Sequence, residues 1–391
     1  MTGVDVLESA GAVADDVRRL RREIHAHPEL GLHNPDTQQR ILGALEDLPL
    51  EVRTGTGCTS VVADLAGGDG PRLLLRADTD ALPMTEDTEV DFKSTIDGRA
   101  HACGHDAHVA MLVGAARVLA ERRDELPGPV RFMFQPGEEG FGGADVMVDE
   151  GVLDGVDRAF AIHISPNIPS GYVVCRPGPI MASANTFHVT VTGKGGHAST
   201  PQFCIDPVPA MAAMINGVQT VVAREMDPFN PALVTVANVH AGTTTNVIPE
   251  SAMFEGTIRT VSEKTRTGVH LALERMCRHV GDAHRCQVDF EIQAGYPVTV
   301  NNANEVARIA ALVRGTLGDG QYMELPTPVM GAEDFSYVLQ RVPGAMALLG
   351  VCPDDIADSL QAPSCHSNRM RLNEDALATG VALHCAVALS G

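Results

Sequence analysis

Alternating apolar and polar stretches divide the first part of the chain into strands and helices. Apolar runs of strand length cover residues 60–65, 73–76, 130–135 and 159–164. Apolar and charged residues recur at helical spacing over residues 13–27 and 108–123. Strands that alternate with helices predict an α/β fold, in which helices flank a mixed sheet.

The pattern changes near residue 181, where a second group of elements begins. Strands are predicted over 187–192, 233–239, 252–260 and 287–293, with helices over 207–224 and 263–280. This order of strand, helix, strand, strand, helix, strand is typical of a ferredoxin-like α+β sandwich. We therefore predict an inserted domain over 182–295, within a catalytic domain formed by 1–181 and 296–391.

Composition and charge narrow the classes of partner. The 391 residues include 50 acidic and 29 basic side chains, a net charge of −21, which repels nucleic acid and anionic membranes. The chain starts without a basic and then apolar signal segment, and no apolar run is long enough to span a membrane. Nine cysteines without a CxxC pair indicate reduced thiols, so we expect a cytoplasmic protein.

The densest cluster of reactive side chains is the segment HACGHDAH, residues 101–108. A Cys thiolate and an imidazole two residues apart, at Cys103 and His105, can bind one soft or borderline cation. Gly104 between them lets the backbone turn tightly. The same pair also allows a thiol nucleophile with its base, so this segment alone leaves two kinds of chemistry open.

Further polar residues follow the predicted strands. Glu138 and Glu139 come shortly after the strand over 130–135, and His163 lies at the end of the strand over 159–164. In open α/β sheets, ligands bind beyond the carboxyl ends of the strands. One carboxylate can therefore bind a metal ion there, while its neighbour reaches a water molecule held by that ion.

Two more segments carry candidate ligands or supporting groups. His366 lies in an isolated polar cluster, Ser-Cys-His-Ser-Asn, near the last helical segment. Asp78 and Asp80 follow the apolar residues 73–75 and suit the support of imidazole ligands, or else the capping of a helix or turn.

Together these motifs resemble a known family. The segments RADTDALPMTE, HACGHDAH, QPGEEGFGGA, GKGGHAS, NVIPE, GTIRT, GAEDFS and CHS are similar to those of the aminoacylase and carboxypeptidase family of dinuclear metallopeptidases. Within that family they look most like the hippurate hydrolase and auxin-conjugate (IAA-amino acid) hydrolase branch. The motifs run from about residue 22 to 377, nearly the whole chain.

The resemblance implies a set of metal ligands and two supporting carboxylates. The implied ligands are Cys103, His105, Glu139, His163 and His366. Cys103 would bridge the two ions, in place of an aspartate used elsewhere in the family. Glu138 corresponds to the general base, and Asp80 to the carboxylate that supports the ligands.

The resemblance also assigns residues of the inserted domain. His197 corresponds to a histidine that reaches the active site of a neighbouring subunit, which implies a homodimer or a higher homo-oligomer. Asn246 and Arg259 correspond to substrate contacts, and a guanidinium fork suits the carboxylate of an amino acid.

We therefore expect a metal-dependent amidohydrolase that uses two divalent cations to cleave N-acyl amino acids. Mn and Zn are favoured, and Co or Ni also suits the softer thiolate bridge. Three alternatives remain. They are a dipeptidase or N-carbamoyl-amino-acid hydrolase of the same architecture, an enzyme with Cys103 as nucleophile, and a metal-binding protein without catalysis.

Overall fold

The computed structural model describes residues 3–391. The helices are α1 (Gly3–Ala12), α2 (Ala14–His25), α3 (Pro35–Leu45), α4 (His105–Glu121), α5 (Gly143–Asp149), α6 (Pro207–Glu225), α7 (Glu263–Ala283), α8 (Ala303–Leu317), α9 (Ser336–Leu339) and α10 (Leu377–Leu389). The strands are β1 (Leu50–Thr54), β2 (Val61–Leu65), β3 (Leu73–Asp78), β4 (Val130–Gln135), β5 (Arg158–Ser165), β6 (Val173–Cys175), β7 (Gly178–Met181), β8 (Ser183–Thr192), β9 (Gly196–His197), β10 (Ala232–Ala241), β11 (Val247–Ile248), β12 (Ser251–Thr260), β13 (Gln287–Ala294), β14 (Thr299–Asn301), β15 (Tyr322–Glu324) and β16 (Gly344–Gly350).

The chain divides into two compact units. The first unit comprises the described residues up to Ile180, together with Val300–Thr327 and Asp334–Gly391. The second unit comprises Met181–Thr299 and Pro328–Glu333. The boundaries of the inserted domain at 182 and 295 stay a prediction.

The first unit contains an eight-stranded mixed sheet in the order β1-β2-β4-β3-β5-β16-β6-β15. Strand β3 runs parallel to both β4 and β5, and β16 runs parallel to β5. The carboxyl ends of these four strands therefore share one edge of the sheet. The predicted α/β class with a mixed sheet flanked by helices is confirmed.

The core of the first unit explains why these segments pair. Every residue of β3 and of β4 is buried, as expected for strands covered on both faces. Helix α4 is apolar on most of its surface and packs against β3, α2 and α10. Since the chain has no Trp, the core is dominated by aliphatic side chains, with a few buried phenylalanines such as Phe132 and Phe160.

The second unit contains a four-stranded antiparallel sheet in the order β10-β12-β8-β13. Helices α6 and α7 pack on this sheet around Phe187, Phe254 and Leu273. The strand and helix order is the ferredoxin-like order that the periodicity predicts, so the α+β class of this segment is confirmed. Its inward-facing residues alternate along β8 and β12, as in a sheet with one covered face.

Several elements differ from the predicted ones. Helix α4 begins at His105, three residues before the predicted start. The pattern of apolar residues missed the first turn because that turn is polar, although it is buried. The buried strand β16 was not predicted, and neither were α1 and α3. No helix in the described part of the chain has both the length and the apolar character needed to cross a membrane.

Candidate metal centre

The polar side chains of the first unit gather where parallel strands end. Asp78 is the last residue of β3 and pairs in register with Gln135, the last residue of β4. His163 lies near the end of β5, opposite Leu348 of the parallel strand β16. The sheet thus delivers residues that are distant in sequence to one edge.

Gly104 sets the turn that separates Cys103 from His105. Its φ is +89°, in the region that L residues with a side chain rarely adopt. A Cβ atom at this position would lie 2.5 Å from Cγ1 of Ile164 on β5, so the backbone approaches the strand too closely for any other residue. The turn holds Cys103 and His105 against the end of β5, and both side chains are buried.

Asp80 fixes the backbone of the segment that follows β4. One of its carboxylate oxygens accepts the N–H of Glu138 at 2.9 Å, and the other accepts the N–H of Glu139 at 3.0 Å. Without these two hydrogen bonds, the backbone N–H groups of Glu138 and Glu139 would lack these carboxylate partners. The positions of both glutamates are therefore tied to one aspartate.

His366 reaches the same place through an unusual backbone conformation. Its φ is +69°, and only one other non-glycine residue in the described part of the chain has a positive φ. Its N–H donates to the carbonyl of Ala102 at 2.7 Å, which ties it to the segment before Cys103. Such left-handed residues cost free energy and occur often at functional sites.

The predicted ligands lie together. The donor atoms of Cys103, His105 and His163 are within 4.8 Å of one another, and so are those of Cys103, Glu139 and His366. Sγ of Cys103 lies 3.4 Å from Nε2 of His163, and Nε2 of His366 lies 3.3 Å from Oε1 of Glu139. The two groups of donor atoms share Cys103, and together they would be able to hold two cations.

Glu138 lies beside the ligands. A carboxylate oxygen of Glu138 is within 4.8 Å of donor atoms of His105 and Glu139, and its side chain is buried. This position next to the ligand group suits a base that acts on a water molecule held there.

The electrostatics show that the centre is rich in negative charge. Burial disfavours the charged imidazole of His105, yet Asp78, Asp80 and Glu139 together raise its pKa well above the ordinary value. The carboxylate of Glu139, whose Oε1 lies 3.3 Å from Nε2 of His366, raises the pKa of His366. A bound cation would be stabilised by the same carboxylates that favour protonation here.

The side chains present fit a pair of divalent cations. Within the described part of the chain, both ring nitrogens of His105 and Oε1 of Glu139 are buried without a hydrogen-bond partner. Unsatisfied buried polar atoms are rare, and these belong to residue types that ligate metals. The Nδ1–H of His163 donates to the carbonyl of Ile164 at 2.6 Å, which leaves Nε2 as an acceptor on the side of Cys103.

Asp78 and His108 support the ligands from behind. Asp78 contacts Nδ1 of His108 at 2.5 Å and lies 3.5 Å from Nε2 of His105. Nε2 of His108 accepts the N–H of Ile164 at 2.9 Å. Both ring nitrogens of His108 are thus engaged, so we exclude it as a ligand although it lies close to His105. On the sequence alone, Asp78 was already a candidate support for imidazole ligands. The signal for it was an Arg and an Asp within an otherwise apolar strand.

The three substrate-binding candidates lie in the second unit. His197 pairs with Val247 across the short strands β9 and β11, and the N–H of Ala198 donates to the carbonyl of Asn246 at 3.0 Å. The structure therefore brings His197 and Asn246 together. Arg259 lies apart from them on β12, half-buried. In the described part of the chain, no carboxylate lies within ion-pair distance of its guanidinium group, and burial lowers its pKa.

Known proteins resemble this chain over most of its length. The plant protein "IAA-amino acid hydrolase ILR1-like 2" of Arabidopsis thaliana is 39% identical over 381 residues, covering 96% of this chain and 85% of the relative. "Thermostable carboxypeptidase 1" of Saccharolobus solfataricus is 38% identical over 386 residues, covering 96% and 95%. A crystal structure of a Bacillus subtilis dinuclear metal binding peptidase of the M20 family matches with a TM-score of 0.84 and 32% identity, covering 97% and 98% of the two chains.

The family resemblance inferred from the motifs is confirmed by these matches. The model of peptidase family M20/M25/M40 also matches residues 74–390, from β3 to the last helix. This chain therefore belongs to peptidase family M20/M25/M40.

Proposed function

We propose that this protein hydrolyses the amide bond of N-acyl amino acids and releases a carboxylic acid and a free amino acid. The observation that carries the proposal is the convergence of five candidate ligands with Glu138 at one edge of the sheet. Similarity to an IAA-amino acid hydrolase over 96% of the chain supports the same reaction class.

The candidate ligands Cys103, His105, Glu139, His163 and His366 would hold the two cations. When bound, such cations supply Lewis-acid activation of a water molecule and of the amide carbonyl. Mn and Zn suit this mixture of thiolate, imidazole and carboxylate donors, and Co or Ni also suits it.

Glu138 is the proposed general base. Its carboxylate takes a proton from the attacking water as the oxygen bonds to the amide carbon. It then gives this proton to the amide nitrogen as the carbon–nitrogen bond breaks, which yields the acid and the amine. Asp80 holds the backbone N–H of Glu138, so the base keeps its position during both proton transfers.

Arg259 is the proposed partner of the substrate carboxylate. A half-buried guanidinium group with no carboxylate partner among the described residues is suited to an anionic ligand, and a carboxylate can accept two parallel N–H bonds from it. His197 and Asn246 are proposed to contact the substrate as well, with His197 stabilising the developing oxyanion.

We also propose that the protein forms a homodimer through the second unit. Strand β10 is an edge strand of its sheet, and Leu233 and Val239 on it are about half exposed. Unprotected edges with apolar residues favour pairing with another chain. Sedimentation of the wild type and of L233K/V239K tests this, with the variant expected to be monomeric.

All nine thiols are free, which supports the expectation of a reducing, cytoplasmic compartment.

The test is release of free amino acid from a panel of N-acetyl, N-benzoyl and N-carbamoyl amino acids and dipeptides. The protein is stripped with a chelator and assayed after Mn, Zn, Co or Ni is restored in turn. We expect turnover of the N-acyl substrates only with metal. Turnover of dipeptides alone would favour the second candidate, a peptidase, which the similarity to a thermostable carboxypeptidase supports.

The variant E138Q tests the role of the base. We expect at least about a 1,000-fold loss of kcat with wild-type metal content, because the amide cannot take the proton. The matched control is E121Q at the exposed end of α4, which should keep full activity. Near-normal turnover of E138Q would exclude Glu138 as the base.

A further inference from the structure

A buried carboxylate outside the proposed ligand set lies behind the segment that carries Glu138. Asp334 is completely buried, and it belongs to the segment GAEDFS, to which neither the motifs nor the mechanism assigns a role. A buried charge needs partners to offset the cost of losing its hydration. Arg76, Gln135 and Ala144 of the first unit are partners of Asp334, and they indicate its role.

The carboxylate of Asp334 accepts hydrogen bonds from three residues. Oδ1 accepts from Nη2 of Arg76 at 3.0 Å and from Nε2 of Gln135 at 2.8 Å. Oδ2 accepts from Nε2 of Gln135 at 2.8 Å and from the N–H of Ala144 at 2.9 Å. Both oxygens are therefore in use, and no surface of this side chain is left for a substrate.

Gln135 and Ala144 bracket the segment that carries Glu138 and Glu139. Gln135 ends β4, and Ala144 lies in the first turn of α5. Between them the chain closes on itself, since the N–H of Gly143 donates to the carbonyl of Gly137 at 3.1 Å. Asp334 thus holds both ends of a closed loop of residues 136–143.

A second branch of the network leads to His105. Nε of Arg76 donates to Oε1 of Gln135 at 2.8 Å, and Nη1 donates to Oδ2 of Asp78 at 2.8 Å. Oδ2 of Asp78 is also the oxygen that lies 3.5 Å from Nε2 of His105. The same buried network therefore supports a histidine ligand and the loop of the two glutamates.

We propose that Asp334 is a positioning residue that sets the geometry of the loop 136–143, and through it the positions of Glu138 and Glu139. It acts through Gln135, Ala144 and Arg76 and does not touch the substrate. This inference rests on the proposed function for its effect on turnover, but its effect on metal binding can be measured without a substrate.

The test exchanges the acid and the amide of the pair. D334N places an amide N–H₂ against the N–H₂ of Gln135, and Q135E places two carboxylates against each other. The double variant D334N/Q135E restores one acid and one amide, with the net charge unchanged. We expect each single variant to lose about 100-fold in kcat, with KM within about threefold. The double variant should regain at least about tenfold, since contacting residues are coupled.

Zn²⁺ affinity, measured by competition with a chelating dye, is the second readout. Each single variant should bind Zn²⁺ about 10-fold more weakly, and the double variant should recover. The control is D64N, which removes another charge-paired aspartate of the first unit, the partner of Arg131. We expect it to lower thermal stability and leave kcat and Zn²⁺ affinity unchanged. If one single variant does not fold, kcat and Zn²⁺ affinity of the other single variant are compared with those of the wild type and the double variant.

Wild-type kcat and Zn²⁺ affinity in D334N, or no recovery in the double variant, would overturn the positioning role. If the wild type cleaves no N-acyl amino acid while the Zn²⁺ affinities follow the expected pattern, the proposed function fails and the positioning role stands. If the wild type is active and E138Q inactive but D334N behaves as the wild type, only the positioning role fails.

Discussion

Asp80 and Glu138 are joined by a hydrogen bond from the backbone N–H of Glu138 to the Asp80 carboxylate, at 2.9 Å. The other oxygen of the same carboxylate accepts the N–H of Glu139 at 3.0 Å. The proposed base and a proposed metal ligand are therefore oriented from their backbone by a single aspartate, which is itself buried in the segment just after β3.

This relationship predicts the effect of D80N. The amide can accept only one of the two N–H groups and places its own donor against the other. We expect kcat to fall about 100-fold and metal affinity to weaken about 10-fold, as for other groups that orient metal ligands. Steady-state kinetics and metal titration measure both. The exposed change D87N should alter neither, and unchanged kinetics in D80N would refute this supporting role.

Replacement of Cys103 separates metal catalysis from a thiol nucleophile. We expect C103A to lose bound metal and turnover, because it removes the ligand that the two groups share. C103D should retain about one tenth or more of wild-type activity, since a carboxylate can also bridge two cations. Metal content is measured by mass spectrometry, and C58A, at another buried thiol, is the control. If the wild type keeps its activity in the presence of a chelator and C103D is inactive, the results would favour Cys103 as a nucleophile.

Arg259 should determine the preference for a free carboxylate. R259A should raise KM for an N-acyl amino acid by at least about 10-fold, as expected for loss of a charge-assisted hydrogen bond. KM for the same substrate with its carboxylate blocked as an amide should change little. R224A, at an exposed arginine of the second unit, is the control. An equal rise of KM for both substrates would argue against contact with the carboxylate.

His384 predicts a loss of stability in acid. Burial lowers the pKa of this histidine from 6.5 to about 3, the nearby His108 adds to the effect, and Phe160 packs against the ring. Because the folded pKa lies below the unfolded one, the unfolded state binds more protons between these values. Stability contributed by neutral His384 is therefore complete above the unfolded pKa and falls as pH decreases.

The measurement is urea unfolding at pH 7 and pH 5. Leucine at position 384 cannot take a proton. We therefore expect the free energy of unfolding of H384L to fall by about 2 kcal/mol less than that of the wild type between pH 7 and pH 5. The exposed change H279L should leave the pH dependence as it is in the wild type. Equal losses in H384L and the wild type would contradict this assignment.

Much of the fold followed from local patterns. The apolar runs that became β3, β4 and β5 and the alternation along β8 and β12 are properties of short segments, so periodicity predicts them. Strand β16 and helices α1 and α3 were missed. Strand β16 is a short buried run, and periodicity alone cannot distinguish such a run from part of a helix. The start of α4 was misplaced because His105 is both a polar residue and the first residue of a buried helix.

The sequence by itself determined the chemical groups of the candidate site, because a thiol, imidazoles and paired carboxylates were recognisable from residue type, spacing and motif. Only the tertiary structure decided which of them lie together and which support others, such as Asp78 behind His105 and Asp334 behind Gln135. The physical reason is that such contacts join residues up to 258 positions apart, and the parallel pairing of β3, β4 and β5 brings the strand residues together only once the sheet has formed.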